Sequence, residues 1–247
     1  MRKILPYNNI LKDYKGLLKD FIGQIYGAEQ GNAISIFVTG SFARGEATEA
    51  SDLDIWCIFD VVSTETLNRV GLASRNLPIS YNDLEINAQC LSLSEFNSSH
   101  FSKFLAYPII FAEGVLIHGN DIAARNVQCY EIKKTCNELL AEILMSIRHY
   151  IAVNEPAEKL TYAKIKAWVL KPLMFALRLE RYSKAGHYPL TTTELFNSYS
   201  SPPMSVVYFM DSEKWSEDIQ TKRDDVLHLL HEEVANLLAH LKNNQQG

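Results

Sequence analysis

Apolar residues recur at three- and four-residue intervals from about Tyr7 to Ala28 (Ile10, Leu11, Tyr14, Leu17, Leu18, Phe21, Ile22 and Ile25), which predicts an amphipathic helix. After Gly31-Asn32 the chain changes rhythm, and the short β-branched run from Ala33 to Thr39 predicts a strand. A second strand is expected over Leu53–Phe59 and a third from about Asp83 to Leu91, both alternating with period two. In the second, Asp52, Asp54 and Trp56 share one face, opposite Leu53, Ile55 and Cys57. In the third, Asp83, Glu85, Asn87 and Gln89 lie opposite Leu84, Ile86, Ala88 and Cys90. The sheet should therefore have a dry side against helices and a polar side lined with carboxylates. A helix from Leu93 to about Glu113 and a short apolar run, Gly114–Gly119, complete this half.

From Glu131 onward the helical period dominates. Cys136, Leu139, Leu140, Ile143, Leu144, Ile147 and Ile151 make one stripe, and Val226, Leu227, Leu230, Val234, Leu237, Leu238 and Leu241 make another. Between them, residues Tyr162 to Tyr182 are apolar almost all round, as in the central helix of a bundle, with Pro172 expected to kink it. Residues 154–157 and 200–203 read as turns. The pattern predicts an α+β fold: a small mixed sheet with flanking helices over residues 1–122, then an all-α bundle over 123–247.

Composition narrows the function classes. At 47% hydrophobic and 21% charged residues, the chain can build a sizeable core. Its net charge of −5 argues against a protein held on nucleic acid by bulk positive charge. Cys57, Cys90, Cys129 and Cys136 have no CxxC or zinc-ligand spacing and read as reduced thiols. Neither a signal peptide nor a membrane-spanning run is visible, so a cytoplasmic protein is expected.

The chemistry concentrates between residues 38 and 55. The first strand ends in Gly40-Ser41, where a missing side chain lets backbone approach a ligand and a short helix can open. Backbone N–H groups and the Ser41 hydroxyl there suit phosphate oxygens. Ser51 and Asp52 then lead into the second strand, and Asp52 and Asp54 point the same way. Two anions on one face repel unless a cation lies between them, and oxygen-only ligands suit Mg²⁺ or Mn²⁺. A third carboxylate from the adjacent strand would complete a site for phosphoryl chemistry with one or two metal ions.

Gly40-Ser41, nine residues, then Ser51-Asp52-Leu53-Asp54 resembles the signature of the DNA polymerase β-like nucleotidyltransferases, whose members transfer a nucleoside monophosphate from an NTP to a hydroxyl with Mg²⁺. The run Glu113–Gly119 and the helical second half extend the likeness to the aminoglycoside nucleotidyltransferases of the streptomycin/spectinomycin type. That resemblance implies ATP as donor, an antibiotic hydroxyl as acceptor, and a role in antibiotic resistance. It implies Asp52, Asp54 and Glu85 as metal ligands and catalytic residues, with Leu84-Glu85-Ile86 matching the strand that carries the general base. Asp83 competes with Glu85 for that role. It also implies nucleotide contacts from Gly40, Ser41, Arg44, Ser51 and Arg178. Where the family carries a lysine after this last helix, the chain has Thr191-Thr192-Thr193.

Other features read as structural. Lys164 and Lys171 suit a solvated helix flank, His228 and His231 lack a third metal ligand, and Trp56 and Trp168 read as packing residues. A small cationic acceptor would suit the acidic balance. Attachment of AMP to a partner protein, or nucleotide sensing without transfer, are the alternative functions.

Overall fold

The computed structural model describes residues 7–26, 33–76, 81, 84–98, 106–122, 129–153 and 160–243. The chain divides into two compact units, Met1–Val127 and Gln128–Gly247.

The first unit is built on a four-stranded mixed sheet of order β3-β2-β1-β4, formed by β1 (Ala33–Val38), β2 (Leu53–Phe59), β3 (Ile86–Ser92) and β4 (Val115–Gly119). β1 runs antiparallel to β2 and β4, while β3 is parallel to β2. The parallel pair is joined by α4 (Thr64–Arg75), since parallel neighbours need a crossover. One face is packed as expected. Leu11, Leu17, Leu18, Phe21 and Ile25 of α1 (Asn9–Asp13) and α2 (Lys15–Tyr26), with Val70 and Ala73 of α4, cover Ile36, Val38, Leu53, Ile55, Cys57 and Ile86. Each such fully buried Leu, Ile or Phe contributes about 1.5–3 kcal/mol.

Several expectations are corrected here. The first helix is two, because the Asn8 side chain caps α1 and the chain breaks helical geometry at Tyr14. β3 begins at Ile86, not Asp83. The Leu84 N–H is taken by the Tyr81 carbonyl in a turn, so it cannot join a ladder. Asp83 itself lies outside the described residues. The helix expected over Leu93–Glu113 appears as α5 (Leu93–Phe96), started by a Ser92–Glu95 capping box and ended at Asn97, and α6 (Ala106–Glu113). The polar sheet face is polar only at one end. Further along it, Phe37, Ile58, Leu91, Phe96 and Ile110 form a second apolar cluster, so alternation on β2 stops where both faces are covered.

The second unit is helical among its described residues. It comprises α7 (Cys129–Val153), α8 (Tyr162–Ile165), α9 (Lys171–Ala185), α10 (Thr192–Asn197), α11 (Met204–Met210), α12 (Ser212–Thr221) and α13 (Arg223–Asn243). Both predicted stripes face the core, Cys136 to Ile147 on α7 and Val226, Leu227, Leu230, Val234 and Leu241 on α13. Every residue from Leu173 to Glu180 on α9 is buried, as a central helix requires. Pro172 produces a different irregularity from the simple kink expected. Residues Lys166–Leu170 form a π turn, in which the Lys171 N–H donates five residues back to the Lys166 carbonyl. Widening the turn ahead of a proline accommodates its missing N–H and its ring. The turn predicted at 200–203 separates α10 from α11, while that at 154–157 lies outside the described residues. No helix among the described residues is long and apolar enough to cross a membrane.

Candidate active site

The site grows from the end of β1. Thr39, buried and extended, is the N-cap of α3 (Gly40–Arg44), and its N–H donates to the Asp54 carbonyl at 3.0 Å. Gly40 adopts φ +68°, a conformation that favours glycine. Space demands glycine as strongly: a Cβ there would run into the Asp54 carboxylate at Oδ2. The short backbone approach that the sequence suggested is therefore an approach to a carboxylate of the next strand.

Asp54 is half-buried on β2, and its Oδ1 accepts from Asn87 Nδ2 at 2.9 Å. The parallel register pairs Leu53 with Ile86 and Asp54 with Asn87. The Leu53 N–H donates to the Glu85 carbonyl at 2.8 Å, so Glu85 stands beside the entry to β2. By strand alternation, Asp52, Asp54, Glu85 and Asn87 belong to one face. Asp52 is half-buried and Glu85 exposed. Among the described residues no three His, Cys, Asp or Glu side chains are gathered closely enough to hold a metal ion. The donor set is nevertheless oxygen-only, and Mg²⁺ typically takes one or two protein carboxylates with substrate phosphates completing its shell.

The remaining residues singled out in the sequence are placed as follows. Ser41 opens α3 and is half-buried, its carbonyl accepting from the Glu46 N–H at 2.9 Å. Ser51 closes the turn before β2, its hydroxyl accepting from the Thr48 N–H at 2.9 Å. Arg44 is held by two carboxylates, with Nε 3.0 Å from Glu46 Oε2 and Nη1 2.9 Å from Glu113 Oε1. Arg178 belongs to the second unit and is buried, donating to the Pro189 carbonyl at 3.1 Å and Thr192 Oγ1 at 3.3 Å. Trp56 packs beside the second apolar cluster of the sheet. Trp168, expected inside, is 65% exposed, because the π turn carries it outward.

Three residues escaped sequence reasoning. Asn87 was visible only as a face position, Glu113 only as the start of an apolar run. Asn8 was not singled out, yet its Nδ2 donates to the Phe42 and Ala43 carbonyls at 2.7 and 3.1 Å, bracing the C-terminal end of α3. An Asn directly before an apolar-periodic stretch is a helix-cap signal, and that was the clue available for it.

With a glycine turn set against Asp54 of a central strand, part of the chain resembles a known family. The stretch 18–117 matches the family described as nucleotidyltransferase domain. Residues 18–117 are thus similar to nucleotidyltransferase domains. That similarity supports transferase activity of the nucleotidyl-transferring class. The matched stretch runs from within α2 to within β4 and contains Gly40, Ser41, Arg44, Ser51, Asp52, Asp54 and Glu85, but neither Asn8 nor Arg178. A comparison of the whole chain with curated proteins finds no match.

Proposed function

We propose that the protein transfers AMP from ATP to a hydroxyl of a small cationic acceptor of the aminoglycoside kind, with Mg²⁺ held by Asp52 and Asp54 and supported by Glu85. The observation that carries this reading is the packing of Gly40 against Asp54, which puts a phosphate-type backbone turn beside the carboxylate pair. Crowding of like charges on one face is costly and calls for a cation there. When bound, the ion would neutralise charge on the phosphates.

In the reaction the acceptor oxygen bonds to the α-phosphorus, the bond from that phosphorus to the bridging oxygen breaks, and pyrophosphate leaves. The acceptor proton passes to the Glu85 carboxylate, whose exposure leaves it open to a bulky substrate. Ser41 and the backbone of the Gly40 turn contact the triphosphate, and Ser51 supports them by shaping the entry to β2. The net charge of −5 favours a cationic acceptor over a polyanionic one.

Incubation of the full chain with α-labelled ATP, Mg²⁺ and a panel of aminoglycosides tests the reading. Label should pass to an acceptor, and Asp54→Ala should reduce transfer by about a thousandfold or more while retaining the fold. Label appearing instead on a co-incubated protein would redirect the acceptor class. Binding of ATP with no pyrophosphate release under any condition would refute catalysis.

A further inference from the structure

Glu113 closes α6 and is 3% exposed. A buried carboxylate is unfavourable unless it is paired and its oxygens are bonded, and here both are. Oε1 accepts from the Gly40 N–H at 3.0 Å and from Arg44 Nη1 at 2.9 Å; Oε2 accepts from the same Arg44 nitrogen at 3.1 Å. The identity of those donors matters. The Gly40 N–H and the Arg44 guanidinium are groups of the glycine turn that an incoming phosphate would otherwise attract. Glu113 engages both from a separate helix. It thereby ties the turn at Gly40, whose missing side chain leaves room for the Asp54 carboxylate.

We propose that Glu113 is a positioning residue of the nucleotidyl-transfer site, holding the Gly40–Ser41 turn at its distance from Asp54 and keeping Arg44 as part of that brace instead of a triphosphate contact. This deepens the functional reading above and rests on it. Asn8 holds the far end of α3 through the Phe42 and Ala43 carbonyls, so the helix is fixed at both ends, and Glu113 acts on the end nearer the carboxylates. Glu46 on the Nε side of Arg44 completes a setting with a carboxylate on each side of the guanidinium.

The test uses the full chain and two readouts. Amide hydrogen exchange of the 40–44 turn is followed without nucleotide, and the Kd for Mg-ATP is measured by calorimetry. Glu113→Ala removes both acceptors and should speed exchange at Gly40 and weaken Mg-ATP by about thirtyfold. Glu113→Gln keeps an acceptor for Gly40 and should recover most of that loss, to within about threefold of the parent chain. Should Glu113→Ala fail to fold, the cycle of Glu113→Gln, Arg44→Gln and their combination carries the test. Partners in one brace give a double variant about as weak as Arg44→Gln alone. Additive losses in that cycle would show Arg44 contacting the triphosphate directly and overturn the proposal, as would unchanged exchange at Gly40. Faster exchange at Gly40 in a chain that never binds Mg-ATP would overturn the nucleotide reading of the site, and the positioning role with it, leaving only a fold brace.

Discussion

The two units treat charge in opposite ways. Among the described residues of the helical unit, charges withdrawn from solvent are bonded to the groups around them. Arg178 on α9 grips the 189–192 turn, Glu180 on the same helix pairs with Lys184 and accepts from the Tyr199 hydroxyl, and Glu233 on α13 accepts from Ser205 at the start of α11. In the sheet unit Glu113 behaves in the same way, buried and satisfied. Asp52, Asp54 and Glu85 differ from it in exposure. By strand alternation they belong to one face, and they keep contact with solvent, Asp54 also accepting from Asn87. Charges buried and bonded locally are explained by the fold; like charges left exposed on one face suit the Mg²⁺-nucleotide site proposed for them.

The contrast can be broken most severely at Gly40. Gly40→Ala should reduce nucleotidyl transfer by about a hundredfold, because a Cβ displaces the Asp54 carboxylate, and should lower stability by about 1–3 kcal/mol through its positive φ. Transfer kinetics and denaturant unfolding on one preparation separate the two effects. Arg178→Ala should do the reverse. Loss of its hydrogen bonds to Pro189 and Thr192 should cost about 3 kcal/mol of unfolding free energy, while Mg-ATP affinity changes by no more than about threefold. A larger fall in affinity would return Arg178 to the triphosphate, where the family resemblance puts it.

The smallest effect concerns Glu233. Burial raises its carboxyl above the ordinary range, against the lowering influence of hydrogen bonds from Ser205 and Met204. A raised folded value means that its contribution to stability is fully present below the unfolded carboxylate value and is lost as pH rises through the folded one. Glu233→Gln should therefore match the parent chain at about pH 4 and exceed it by less than about 1 kcal/mol near pH 7, as read from urea unfolding at both values. A parent chain that gains stability across that interval relative to the variant would reverse the sign and make Glu233 a favourable ion.

Much of this arrangement was readable in advance because it depends on local periodicity. β2 runs over Leu53–Phe59 as its alternation requires, and the apolar stripe of α7 faces its core. The Gly40-Ser41 and Asp52/Asp54 spacing pointed to the same strand ends that the structure pairs. What escaped depends on contacts between residues distant in sequence. Glu113 lies 73 residues from Gly40, and no periodic signal reports that its carboxylate reaches back to that N–H. Asn87 matters because the parallel register sets it opposite Asp54, and register between parallel strands cannot be read from either strand alone. The start of β3 escaped for a related reason: alternation continued through Leu84, but a turn had already engaged its N–H.

The π turn before Pro172 has a consequence for how this helix could tolerate change in length. A wide turn holds one residue more than a regular one, and each of its residues advances the chain less around the axis. Ile165, Val169 and Leu173, four apart, stay on the buried side across it, while Trp168 is turned to solvent. Deleting one residue from Lys166–Leu170 would restore ordinary spacing and leave the residues before the deletion at about the same phase relative to α9. The segment thus behaves as an inserted residue absorbed without a loop, and the α8 end should tolerate its loss without turning its buried side to solvent.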